Sequence, residues 1–276
     1  DRVAFTTLRA GWGYIFMTSL QKLLNLAVLL LLTLVLTTCR SNDDDTGPTD
    51  DGDDNSLNIG PVGSSANDLL SSSNYTTLQV EIQYAAGFAP PQGSVDYLRN
   101  FLSNRLNKSG SIVVNMTQID AAGQTAYSLA ELRSIEDESR TQFTRGSTLA
   151  VYFFFADGNY SSNSNVLGIA HRNTSMVLFQ KRIEEVSGGV GQVSTQMLTS
   201  TVLVHEFSHI LGLVNTGSDM QTDHQDTANG SHCDNENCLM YYAVESAAGL
   251  DALFGMSSPP DLDANCLADL QANGGK

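Results

Sequence analysis

The chain is short of positive charge. Fourteen Lys and Arg stand against thirty Asp and Glu in 276 residues, a formal net charge of −16. Nucleic acids and anionic membrane surfaces both select basic patches, so this balance argues against either as a partner. There is no glycine fingerprint of a nucleotide site and no internal repeat. Cysteine is scarce, with four in all, at Cys39, Cys233, Cys238 and Cys266. The single long apolar run, Leu23 to Leu36, is too short to be a comfortable membrane span. What remains, a chain 41% hydrophobic, allows one sizeable domain or two small ones.

The beginning of the chain reads as an export device. Met17, Lys22, the apolar run and the exit Thr37-Thr38-Cys39 have the layout of a secretory signal, with a transmembrane anchor as the rival reading. Residues 1–16 start with Asp and read as translation ahead of a true start at Met17. Leu36-Thr37-Thr38-Cys39 resembles a bacterial lipobox, which implies that Cys39 is the lipidated first residue of a mature chain of net charge near −18. The acidic run behind it, Asp43-Asp44-Asp45, resembles the surface-export signal of Bacteroidetes-type lipoproteins. Together these imply an extracytoplasmic protein on the outer membrane at the cell surface, touching the membrane only through its lipid. Residues 17–38 are then the signal, 39–58 the lipidated cysteine with a flexible acidic tether, and 59–276 the functional domain.

That domain opens with an alternating strand, Tyr75 to Tyr84, and a helix with apolar spacing, Val95 to Leu106. A strand from Ser111 to Ile119, a helix from Leu129 to Phe143 and a strand from Thr148 to Ala156 follow. The last is so continuously apolar that both its faces should be buried. This alternation predicts parallel strands joined by crossover helices. Val166–His171 and Ser175–Phe179 are then close enough to form an antiparallel pair at the sheet edge, where an extended peptide could lie. His171, alone in a strand, reads as structural. The fold expected is α/β, with a mostly parallel twisted sheet, one antiparallel edge strand and a loop-rich, α+β C-terminal part. A last helix is expected within Asp261–Asn273 after Pro259-Pro260.

Val202 to Leu213 carries the chemistry: V-L-V-H-E-F-S-H-I-L-G-L. Residues four apart share a helix face, so His205 and His209 can reach one metal ion. Glu206 then lies close enough to serve as general base toward a metal-activated water. Apolar Val202, Leu203, Phe207, Ile210 and Leu211 support the helix, and Gly212 offers its exit. A catalytic zinc site needs a third protein ligand, for which His224, His232 and Glu245 are the candidates.

The helix with Gly212 resembles the metzincin clan of zinc endopeptidases, whose pattern is H-E-x-x-H-x-x-G-x-x-H. Asn215 stands where the third histidine is expected. His232-Cys233, Cys238 and Met240 resemble the H-C-x-x-x-x-C-x-M ending of the archaemetzincin type, which makes Val214 to Ser231 an insertion. The resemblance implies one catalytic Zn²⁺ held by His205, His209 and His232, with His224 as the competing third ligand and Met240 as the apolar floor. It also places Tyr242 near the metal, where its hydroxyl could donate to an oxyanion. Archaemetzincins carry further cysteines for a second, structural zinc, for which four are preferred. Three remain here beyond Cys39, and a disulfide such as Cys233 with Cys238 is the other option.

The implied activity is hydrolysis of peptide bonds in a peptide or protein substrate by a monomer. A gluzincin-type arrangement with Glu245 as ligand, or another zinc hydrolase, is the catalytic alternative. A surface lipoprotein binding module without catalysis is the other.

Overall fold

The computed structural model describes residues 55–276. The signal segment, Cys39 and the tether up to residue 54 lie outside the described residues. Among those described, no helix is long and apolar enough to cross a membrane.

The first helix, α1 (Ala66–Leu70), leads into strand β1 (Thr77–Ala85), helix α2 (Gln92–Arg105) and strand β2 (Ile112–Ile119). A two-residue strand β3 (Ala126–Tyr127) precedes helix α3 (Leu129–Ser139), strand β4 (Thr148–Phe155) and the short β5 (Asn159–Tyr160). Strands β6 (Gly168–Arg172) and β7 (Ser175–Leu178) form a hairpin, followed by α4 (Gln180–Glu185) and the long α5 (Thr195–Ile210). Two 3₁₀ turns, Tyr242–Glu245 and Ala247–Leu253, and helix α6 (Ala264–Ala272) complete the chain.

Five strands make one sheet in the order β2-β1-β4-β7-β6. Every pairing is parallel except β6 with β7, so the expected α/β sheet with one antiparallel edge strand is present. Strand β4 sits between β1 and β7, with Thr77 opposite Thr148 and Phe153 opposite Met176. That central place buries both of its faces and accounts for the unbroken apolar run from Leu149 to Phe155. Sequence patterning found the longer elements to within a few residues, but not α1, β3, β5 or α4, which are too short to show a period.

Helix α3 stops four residues earlier than its pattern suggests, and Arg140 shows why. Its backbone turns extended, with φ −61° and ψ 132°. The guanidinium thereby reaches Glu136 at 2.8 Å, the Ala150 carbonyl at 2.9 Å and the Ser175 hydroxyl at 3.1 Å. Both members of the Arg140–Glu136 pair are buried. Arg140→Ala leaves a carboxylate without its main partner in the interior and should cost about 3–5 kcal/mol. A urea midpoint within error of the parent would contradict this. Asn58, one residue ahead of the expected domain start, is buried in the same region, donating to Thr144, Ala150 and Thr174.

His171 is buried beside this network, and neither ring nitrogen has a hydrogen-bond partner. Burial first, then Arg172, Arg133 and Arg140, push its pKa down to about 3. An unfolded histidine titrates near 6.5. The unfolded chain therefore takes up this proton first, and stability should fall as pH drops from about 6.5 toward 3. At its steepest, this residue's share is about 1.4 kcal/mol per pH unit. His171→Leu should flatten the decline by that share in denaturant titrations at pH 7, 5.5 and 4.5; identical slopes would refute the assignment.

Helix α5 is the piece that positions the chemistry. Every residue from Met197 to Ile210 is buried, so it is a core helix rather than an amphipathic surface one. Its hydroxyls are satisfied within its own turns, Ser200 to the Gln196 carbonyl and Ser208 to that of Val204. Ser194 caps its start by accepting from Met197 N–H. Gly168 on β6 lets the helix come close: a Cβ there would lie 2.6 Å from Glu206 Cγ. At the exit, Gly212 has φ 81°, and a Cβ would lie 2.4 Å from Ser218 N. Turn and close approach together exclude a side chain at Gly212.

Candidate metal centres

One turn of α5 separates His205 from His209, and their Nε2 atoms stand 3.2 Å apart. The loop after the helix returns His232 to the same point, its ring centroid 5.3 Å from His205 and 5.1 Å from His209. Backbone carbonyls set the tautomers. His205 Nδ1 bonds Leu239 O at 2.7 Å, and His232 Nδ1 bonds Asn229 O at 2.7 Å. A carbonyl only accepts, so each Nδ1 carries the proton and each Nε2 presents a lone pair. His232 Nε2 is buried without any hydrogen-bond partner. Lone pairs aimed at one another inside a protein are unfavourable unless a cation lies between them.

Glu245, from the first 3₁₀ turn, completes this group. Its carboxylate pulls His232 upward in pKa against the effect of burial. His205 and His232 in turn outweigh burial at Glu245 and hold it well below the usual carboxylate range. His209, deeply buried beside two other imidazoles, is pushed well below its ordinary value.

Glu206 faces the same space from the helix. Its Oε2 accepts from Ala170 N–H on β6 at 2.7 Å, while Oε1 is buried with no partner. Burial, then the negative charge of Glu245, raise its pKa well above that of an ordinary carboxylate; the Ala170 bond opposes them. The cleft holding these groups has a volume of about 410 Å³, with Gly168, Ile169 and Ala170 of β6 on one wall. Met240 is buried. Tyr242 is 38% exposed, with its ring centroid 4.7 Å from that of Tyr241.

His224 does not join this cluster. It lies with Cys233, Asp263 and Cys266 in a second one. Its Nδ1 is 3.4 Å from Cys233 Sγ and 4.0 Å from Cys266 Sγ, and Cys238 Sγ is 3.6 Å from Cys266 Sγ. All three thiols are free and buried, so the disulfide considered from sequence is not formed. His224 Nε2 bonds the buried Asp269 carboxylate at 2.8 Å, which leaves Nδ1 as a lone pair toward the sulfurs. A carboxylate behind the far nitrogen is the usual support of a metal-binding imidazole. Met240 N–H and Asp263 N–H both point at Cys238 Sγ. Cys233 and Cys266 first, then these two N–H groups, outweigh burial and push the Cys238 pKa down to about 4, into the thiolate range. The sequence showed three cysteines and a spare histidine, but their meeting depends on the folded insertion.

Fold and site together define an α/β domain with a histidine-rich cluster on a buried helix and a second, cysteine–histidine cluster. No family model and no curated protein matches the sequence. Solved structures do. Archaemetzincin from Methanopyrus kandleri is 16% identical, aligned over 72% of this chain and 96% of that one, with a TM-score of 0.48. Archaemetzincin from Archaeoglobus fulgidus, in complex with malonate, is 17% identical over 69% and 99%, with a TM-score of 0.42. Metalloproteinase-II from Bacteroides fragilis is 17% identical over 77% of this chain and 56% of that chain, with a TM-score of 0.40.

Proposed function

We propose that the protein is a zinc-dependent endopeptidase. The observation that carries this reading is the convergence of His205, His209 and His232, with the partnerless oxygen of Glu206 nearby, at a cleft lined by His209, Glu206 and Glu245. The donor chemistry fits the metal: neutral imidazoles with fixed tautomers and a buried, unsatisfied Nε2 suit Zn²⁺. Zinc there supplies a Lewis acid that polarises a peptide carbonyl and makes water nucleophilic at neutral pH.

The chain's own residues do the rest. Ala170 N–H pins one oxygen of Glu206 and leaves Oε1 to take a proton from the attacking water. The raised pKa of Glu206 lets it hold that proton and then deliver it to the leaving nitrogen. Strand β6 is the sheet edge beside the cleft, so an extended peptide can lie along it through backbone hydrogen bonds. The second cluster, His224, Cys233, Asp263 and Cys266 with Cys238 Sγ 3.6 Å from Cys266 Sγ, fits a structural ion.

The test is cleavage of a denatured protein by the purified domain, its abolition by 1,10-phenanthroline and its recovery on adding zinc. Cleavage that is indifferent to chelation would refute the reading. We also propose a surface lipoprotein anchored through Cys39. Labelled palmitate should enter the parent and not Cys39→Ala; equal labelling would exclude that anchor.

A further inference from the structure

We propose that Glu245 is a fourth protein donor at the His205–His209–His232 centre, so that the chain closes its own active site at rest. The inference rests on the peptidase reading and adds a resting state to it. A hydrolytic zinc site ordinarily keeps one position for water, whereas a site with four protein donors is closed.

The distances favour closure. Glu245 Oε2 lies 3.5 Å from His205 Nε2 and 3.5 Å from His232 Nε2. The two helix imidazoles are 3.2 Å apart at Nε2, and all four donor atoms lie within 4.8 Å of one another. Nitrogen and oxygen donors on a tetrahedron of radius about 2.0–2.1 Å sit about 3.3–3.4 Å apart along each edge. The three shorter separations bracket that value. They are also hard to explain as ordinary hydrogen bonds. The Nδ1 protons of His205 and His232 are committed to the Leu239 and Asn229 carbonyls. Two nitrogen lone pairs and a carboxylate oxygen thus face one gap, an arrangement that a cation satisfies.

The backbone holds Glu245 in place while its side chain keeps a way out. Its carbonyl accepts from Leu167 N–H at 2.9 Å, just ahead of β6, and Ala247 N–H bonds Asn165 O at 2.8 Å. Both contacts fix the turn to the approach of the edge strand. The Glu245 side chain is 28% exposed and lines the cleft with Glu206. It can therefore swing toward solvent without moving the turn. In this scheme an arriving peptide displaces a carboxylate rather than a water, and Glu245 acts as a built-in competitor for the substrate position.

Glu245→Ala and the isosteric Glu245→Gln separate this from other roles. Zinc affinity by chelator competition and the visible d–d spectrum of the cobalt-substituted protein both read ligation without turnover. Sulfur-to-cobalt bands from the cysteine cluster serve as an internal reference. Glu245→Ala should weaken zinc at the histidine centre by about 10–100-fold, change the d–d bands and raise kcat on a peptide substrate. Unchanged affinity and spectrum would overturn the assignment. A changed spectrum with lower kcat would overturn the closure, leaving Glu245 to act in turnover. If the spectrum and affinity change but neither form cuts peptides, Glu245 stands as a ligand and the peptidase reading fails instead.

Discussion

Glu206→Gln should lower peptide hydrolysis by about 10²–10⁴-fold while zinc content stays at the parent value. The split between the two readouts follows from the geometry. Glu206 lies one residue from a histidine of the centre, yet its carboxylate is turned to Ala170 on β6 and to the cleft. Glutamine keeps an oxygen for the Ala170 N–H, so helix and strand remain docked. What it cannot do is take up and return a proton. Turnover and metal analysis on one preparation check this. Retained activity would dispose of the proton-transfer role, and lost zinc would mean that Glu206 supports the metal rather than the reaction.

Cys238→Ser should give the largest loss of stability. The Cys238 thiol lies between Cys266 at 3.6 Å and the N–H groups of Met240 and Asp263. It joins the loop after the insertion to the start of α6, where Asp263 caps the helix at Cys266 N–H. Structural zinc in small domains contributes about 10–16 kcal/mol of apparent binding energy. Loss of one thiolate from a domain with its own core should cost less, about 5 kcal/mol, or roughly 10–20 °C in Tm for a chain of this size. Metal content should fall from two ions to one. An unchanged Tm with both ions retained would rule out a structural metal at this cluster.

How much of this was legible in the sequence varied with the range of the interaction. The helix bearing His205 and His209 could be read because periodicity and a four-residue spacing are local. The central strand β4 could be read because burial on both faces leaves an unbroken apolar run. The third histidine could be narrowed only to His224 or His232, since both lie at or beyond an insertion whose path depends on tertiary contacts. The two turn out to serve different clusters. Glu245 was weighed as an alternative to His232, yet the fold brings both to one point. A spacing rule that allots a single third ligand does not contain that outcome. The 3₁₀ turn Tyr242–Glu245 carries its last side chain inward and leaves Tyr242 against Tyr241.

His232 and Cys233 are neighbours in the chain, and their side chains enter different clusters. One peptide unit therefore spans the two centres, and Cys233 N–H donating to Met240 O at 2.8 Å ties that unit to the Met240 backbone. Ordering one centre fixes the backbone that the other requires, so the entropy of closing the loop is lost once and serves both. On the proposed two-metal reading the two sites are then thermodynamically linked: the cysteine cluster would act as the clamp that keeps His232 at its post, and disrupting that cluster should loosen the histidine centre without touching α5.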